Sequence, residues 1–161
     1  MLGATIAAIA PGPSPAALGI VRVSGPLAAR ILDAVVPSAR ATARPGRMCR
    51  GRARDPGTGM EIDEVLCFFA KGPGTATGED VAEIHGHGGP IVMRALLLAA
   101  LAAGARAASP GEFTYRAFCL GRLDLTQAEA VMGLVAARSE RAARAALRQL
   151  DGGSAERLDA A

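Results

Sequence analysis

Thr77-Gly78-Glu79-Asp80-Val81-Ala82-Glu83-Ile84-His85-Gly86-His87-Gly88-Gly89-Pro90 is the stretch on which the reading of the fold turns. The glycine-rich loop from Gly72 to Gly78 cannot sustain a regular element, whereas Val81 to His85 alternates and predicts a strand. Beyond the histidines the composition changes. Small and apolar residues from about Pro90 to Ala103 predict a helix that stops at Gly104. A strand that runs through glycines into a helix, inside an otherwise short-element chain, points to a mixed α+β domain.

Working outward toward the start, Thr5 to Ala10 and Gly19 to Ser24 read as two short strands, separated by a Pro/Gly/Ser loop from Pro11 to Ala17. The second strand places Val21 and Val23 on one face and Arg22 on the other. Ser24-Gly25-Pro26 opens a helix to about Val36, with Leu27, Ile31, Leu32 and Val35 as its apolar side and Pro37 as its stop. The arginine-rich segment Arg40 to Arg54 leads through the turn Asp55-Pro56-Gly57-Thr58-Gly59 into Ile62 to Ala70, which predicts a hairpin.

Toward the end, Ala105 to Ala108 reads as one more strand, and after Ser109-Pro110-Gly111 the pattern is helix only. Thr126-Gln127-Ala128-Glu129 has capping-box spacing and predicts a helix to about Ala137. Ser139 to Leu150 reads as a further helical segment, either continuous with it or separate. The tail after Asp151 is too polar and too short to pack independently. The expected organisation is an α+β domain over residues 1–119, then the start of a helical domain over 120–161.

Composition bounds the function. With 161 residues, 50% hydrophobic and 20% charged, the chain can bury a core of its own. Its longest apolar run, Ala95 to Ala103, is too short to span a bilayer, and Met1-Leu2-Gly3-Ala4 lacks the basic start of a signal peptide. A cytoplasmic location without membrane attachment is the expectation. Cys49, Cys67 and Cys119 are an odd number without a Cys-x-x-Cys spacing, so they suit a reducing compartment and structural roles. A net charge of +3 permits an anionic partner without demanding one. Lys71 is the only lysine and is followed by Gly72-Pro73, which excludes a phosphate-cradling Gly-Lys-Ser/Thr loop in this chain. The chain also has no asparagine, so the Asn-Lys-x-Asp motif that reads guanine is absent, and no GTP hydrolysis by this chain alone is expected.

Three polar elements stand against the apolar background: Arg22 within a strand, the run from Thr77 to Glu83, and Gly121-Arg122-Leu123-Asp124 at the helical junction. Alternation puts Glu83 on the same face as Val81 and His85, so its carboxylate points either into a pocket or into water. His85 and His87 share a strand face, but no further cysteine or carboxylate follows at a metal-binding spacing, and no metal site is expected. His87 and the glycines read instead as a tight turn into the helix, with backbone N–H groups available to an anion or simply closing the loop. Cys119 lacks an identifiable base, so nucleophilic catalysis is not supported. The arginines of Arg40 to Arg54 are the natural candidate for an RNA phosphate surface, against the plainer reading of an exposed hairpin in an arginine-biased sequence.

Taken together, these blocks resemble the MnmE (TrmE) family of tRNA wobble-uridine modification GTPases. The likeness runs through Thr5 to Ala10, Gly19 to Gly25, Thr77 to Pro90, Pro110-Gly111-Glu112-Phe113-Thr114-Tyr115-Arg116-Ala117-Phe118 and Gly121-Arg122-Leu123-Asp124-Leu125-Thr126-Gln127-Ala128-Glu129-Ala130. The resemblance implies an amino-terminal domain with the folate-binding fold of the glycine-cleavage aminomethyltransferase. It also implies a homodimer that holds 5-formyl-tetrahydrofolate as one-carbon source. Arg22, Glu83 and Arg122 match the family's folate contacts. In the full-length family, GTP, Mg and K belong to a GTPase domain inserted further along, which this chain lacks. An FAD-dependent MnmG-type partner and tRNA complete the system. Two alternatives stand beside it: a stand-alone folate-binding or aminomethyl-transfer protein, and a structural dimerisation remnant without ligand.

Overall fold

The computed structural model describes residues 3–10 and 16–151. The Pro/Gly/Ser loop lies outside the described residues over 11–15, and so does the tail from 152 onward. The packing divides the chain into two compact units, Met1–Ser109 and Pro110–Ala161. Among the described residues, no helix is long and apolar enough to cross a membrane.

The first unit is a six-stranded mixed sheet with two helices. Its strands are β1 (Ile6–Ala10), β2 (Leu18–Ser24), β3 (Cys49–Arg54), β4 (Glu61–Ala70), β5 (Val81–His87) and β6 (Arg106–Ala107). They lie in the order β3-β4-β5-β2-β1-β6, antiparallel throughout except for the short parallel pair β1–β6. Helix α1 (Ala28–Val35) follows β2, and α2 (Pro90–Ala102) joins β5 to β6.

Alternation along the strands builds the core. Val21 and Val23 of β2, Ala82 and Ile84 of β5, and Val65, Cys67 and Phe69 of β4 all point to the face covered by the helices. There they meet Ile31, Leu32 and Val35 of α1 and Met93, Leu96, Ala99 and Ala100 of α2. Burial, followed by the neighbouring Cys49 and Asp33, pushes the Cys67 thiol up to about 11.

Gly19 and Gly86 are cross-strand partners on this same face. A Cβ on Gly19 would lie 2.3 Å from Met93 Sδ, and one on Gly86 would lie 3.0 Å from Leu96 Cδ1. The two glycines therefore let the Met93 and Leu96 side chains of α2 rest directly on the strand backbones.

The hairpin forms, but more narrowly than the arginine run suggests. Only Cys49–Arg54 pairs with β4, while Ala41–Ala43 is a short 3-10 turn. Two of the strand arginines are answered across the ladder, Arg50 by Glu64 and Arg52 by Glu61.

The reading of His87 as a turn residue is corrected. It ends β5 opposite Leu18, with its backbone N–H donating to Asp63 Oδ2 at 2.8 Å and its Nδ1 2.8 Å from Asp63 Oδ1. Asp63, supplied by β4, prolongs the strand where local sequence favours a bend. The glycines then serve packing: a Cβ on Gly88 would lie 2.3 Å from the Ala16 carbonyl oxygen, and Gly88 N–H donates to Ala17 O.

The second unit holds α3 (Glu112–Cys119), α4 (Leu125–Ala136) and α5 (Glu140–Leu150). The capping box is real but sits two residues earlier than the sequence suggested. Asp124 Oδ1 accepts from Gln127 N–H at 2.7 Å, and Gln127 Oε1 accepts from Asp124 N–H at 3.0 Å. Thr126 falls inside the first turn. Ala137 adopts extended backbone and Ser139 caps the next helix, so α4 and α5 are separate. Arg116, buried to 1% exposure, pairs with Glu112 one turn earlier at 3.1 Å. Val135, Met132 and Leu147 are exposed on α4 and α5.

Candidate functional site

The sheet face opposite the helices carries the polar residues that alternation excludes from the core. Strand register aligns them in rows: Ala8, Arg22, Glu83 and Phe68 in one, then Ala10, Ile20, His85, Leu66 and Arg50 in the next. Arg22 and Glu83, 61 residues apart in sequence, become direct cross-strand neighbours.

Their pairing is close. Arg22 Nε donates to Glu83 Oε1 at 2.8 Å, and Nη2 lies 2.8 Å from the same oxygen. The second carboxylate oxygen, Oε2, is 3.1 Å from His85 Nε2. Glu83 and His85 are 18% and 22% exposed, so the carboxylate is shielded yet reachable, while Arg22 at 36% stands further out. This is a charge-assisted cluster held by two adjacent strands.

One end of the face is closed by the loop between β4 and β5. Ser24 Oγ, wholly buried, donates to Glu79 Oε2 at 2.8 Å and lies 2.8 Å from Thr77 Oγ1. Within the loop, Thr75 Oγ1 donates to the Glu79 carbonyl at 2.6 Å and Gly72 N–H donates to Asp80 Oδ1 at 2.9 Å. The Thr-Gly-Glu-Asp run is thus a hydrogen-bonded cover over the β2–β5 ladder, not a solvated turn. At the other end of the face, Leu18, Leu66, His85 and His87 line a shallow hollow of about 220 Å³ together with Arg50 and Glu64.

Of the three residues singled out as folate contacts, the structure brings Arg22 and Glu83 together. Arg122 belongs to the second unit, in the loop between α3 and α4, where its backbone N–H donates to Ala117 O at 2.8 Å. Among the described residues, no group of three or more His, Cys, Asp or Glu side chains could hold a metal ion. His85 as Glu83's partner was missed, since sequence reading weighed it only as a metal ligand. The signal was present: period-two alternation already put the two on one face. Ser24 was missed because nothing local marks a hydroxyl whose partners lie more than fifty residues away.

A family model described as "GTP-binding protein TrmE N-terminus" matches residues 5–122. The tRNA modification GTPase MnmE of Roseiflexus castenholzii is 50% identical over 149 residues, covering 92% of this chain and 32% of that protein. The MnmE of Pseudomonas paraeruginosa is 51% identical over 156 residues, covering 97% and 33%. That of Syntrophus aciditrophicus is 46% identical over 161 residues, covering 99% and 35%. The chain spans about a third of the length of these curated relatives.

Proposed function

Since the chain belongs to the family of the TrmE amino-terminal domain, we propose that it is the folate-binding and dimerising part of a tRNA wobble-uridine modification GTPase. On this reading its α+β sheet unit is a folate-binding, aminomethyltransferase-like domain. The domain boundary falls at 119/120, with the helical domain beginning after it. The ligand is 5-formyl-tetrahydrofolate, which supplies the one-carbon unit when bound. A second copy of the chain, an FAD-dependent MnmG-type partner and tRNA complete the cytoplasmic system, and GTP, Mg and K act only in a GTPase domain outside this chain.

The observation that carries the reading is the Arg22–Glu83–His85 cluster on the open sheet face. A pterin presents a guanidine-like edge of N–H donors, and a shielded carboxylate on a rigid strand accepts such an edge. The glutamate tail of a folate is anionic and suits a guanidinium. Arg22 is held on the Glu83 carboxylate itself, so Arg122 is the candidate for the tail, and the sheet face offers the acceptor for the pterin edge.

Titration of the purified chain with 5-formyl-tetrahydrofolate, followed by melting temperature, tests this. Stabilisation by the ligand that disappears in Glu83→Ala supports the reading. Ligand stabilisation unaffected by that substitution, or none in the unmodified chain, sinks it in favour of a structural dimerisation module. One-carbon transfer by this chain without other subunits would favour a stand-alone aminomethyl-transfer protein.

A further inference from the structure

Cys49 and Cys67, 18 residues apart in sequence, stand directly opposite each other in the β3–β4 ladder. Opposed residues of an antiparallel pair share a face, and both of these belong to the core that the helices cover. Cys67 Sγ lies 3.4 Å from the Cys49 carbonyl oxygen, so its thiol is turned toward β3. Both thiols are free.

Opposed residues in such a ladder have Cα atoms about 4.5–5.5 Å apart, within the roughly 4.4–6.8 Å that a disulfide spans. β3 is the outermost strand, so no further strand resists the small approach of its backbone that an S–S bond requires. The two thiols differ in reach. Cys49 keeps 8% exposure at the sheet edge, whereas Cys67, on the strand between β3 and β5, has none. A thiolate is the nucleophile, and the burial that raises the Cys67 thiol to about 11 keeps it protonated near neutral pH. Cys49 is therefore the sulfur that a small oxidant meets first.

The geometry points to Cys49 and Cys67 as an oxidative modification site, at which hydrogen peroxide converts the two thiols into a cross-strand disulfide. The Cys49 thiolate attacks one peroxide oxygen, the O–O bond breaks, and hydroxide leaves as the S–O bond of a sulfenic acid forms. Cys67 Sγ then attacks Cys49 Sγ. An S–S bond replaces the S–O bond, and the Cys67 proton departs with the hydroxyl as water. In all, two thiols and one peroxide give one disulfide and two waters. The bond ties the edge strand β3 to β4, and a dithiol reductant releases it. Because the pair lies on the core face, it acts whatever the open face binds.

Peroxide treatment of the folded chain, followed by alkylation and mass spectrometry, is the test. In Cys119→Ser, which removes the exposed thiol, the expected change is a loss of about 2 Da, reversed by dithiothreitol, with a linked peptide pair carrying Cys49 and Cys67. The same linked pair is expected from the unmodified chain, so the result does not hang on one variant. Cys67→Ser should stop at the sulfenic acid on Cys49, trapped by a cyclic 1,3-dione.

Oxygen gained at Cys49 without linkage to Cys67 in the unmodified chain overturns the site. So does a chain in which Cys119 is oxidised while Cys49 and Cys67 both remain open to alkylation after unfolding. Disulfides found only between two copies, or only through Cys119, overturn it equally. A folded Cys67→Ser in which Cys49 resists peroxide overturns the order of attack.

Discussion

The two faces of the sheet are made by the same strands, one residue out of phase. Val21, Val23, Ala82 and Ile84 look toward α1 and α2, whereas Arg22, Glu83 and His85, their immediate neighbours in sequence, look away. The first face is dry and filled, and its contribution is stability. The second mixes polar and apolar side chains around one carboxylate and is partly exposed, so it contributes less to the core. A one-residue slip of β5 would exchange these roles, and the register across three strands holds it against that.

The contrast can be broken from either side. The largest effect belongs to the helix-covered face: Ile84→Ala should cost about 2–5 kcal/mol in chemical denaturation, because Ile84 is fully buried beneath the helices. A loss as small as that of a surface substitution would mean that the core is not closed there.

The same face sets a pH limit. Burial favours the neutral Cys67 thiol, whose folded value of about 11 exceeds that of an exposed thiol. Its stabilising contribution is complete below the unfolded thiol's value of about 8.5 and is lost as pH rises toward the folded value. Cys67→Ala should therefore flatten the alkaline decline in stability by up to about 3 kcal/mol, read from unfolding curves between about pH 8 and 11.

The smallest effect belongs to the open face. Glu83→Gln should change the stability of the ligand-free chain by less than about 1 kcal/mol, since the carboxylate is partly exposed and its arginine partner more so. A loss comparable to that of Ile84→Ala would make the cluster a structural element first.

Much of this arrangement was legible in the sequence, and the misses have physical causes. The alternation through Val21-Arg22-Val23 was plain from its period of two, and the small apolar helix after Pro90 from its length and its Pro and Gly boundaries. The capping box was displaced because Asp124/Gln127 and Thr126/Glu129 have the same spacing. The hydrogen bonds at Asp124 decide between them, and those are not written in the spacing. At His87 the neighbouring glycines favour a turn locally, while the force that extends β5 comes from Asp63 on another strand. The meeting of Arg22 and Glu83 is long-range, and only resemblance to a family suggested it in advance. The burial of Arg116 left no trace in pattern at all, since an arginine four residues after a glutamate reads as a solvated helix pair.

Gly19 and Gly86, opposite each other beneath Met93, set the mechanical character of the open face. With no strand side chains at that point, the Met93 and Leu96 side chains of α2 rest on the glycine backbones, and the strand segment bearing His85 has little room to bow inward. That part of the open face is then a stiff wall, which yields less than the strand ends that carry full side chains on both sides.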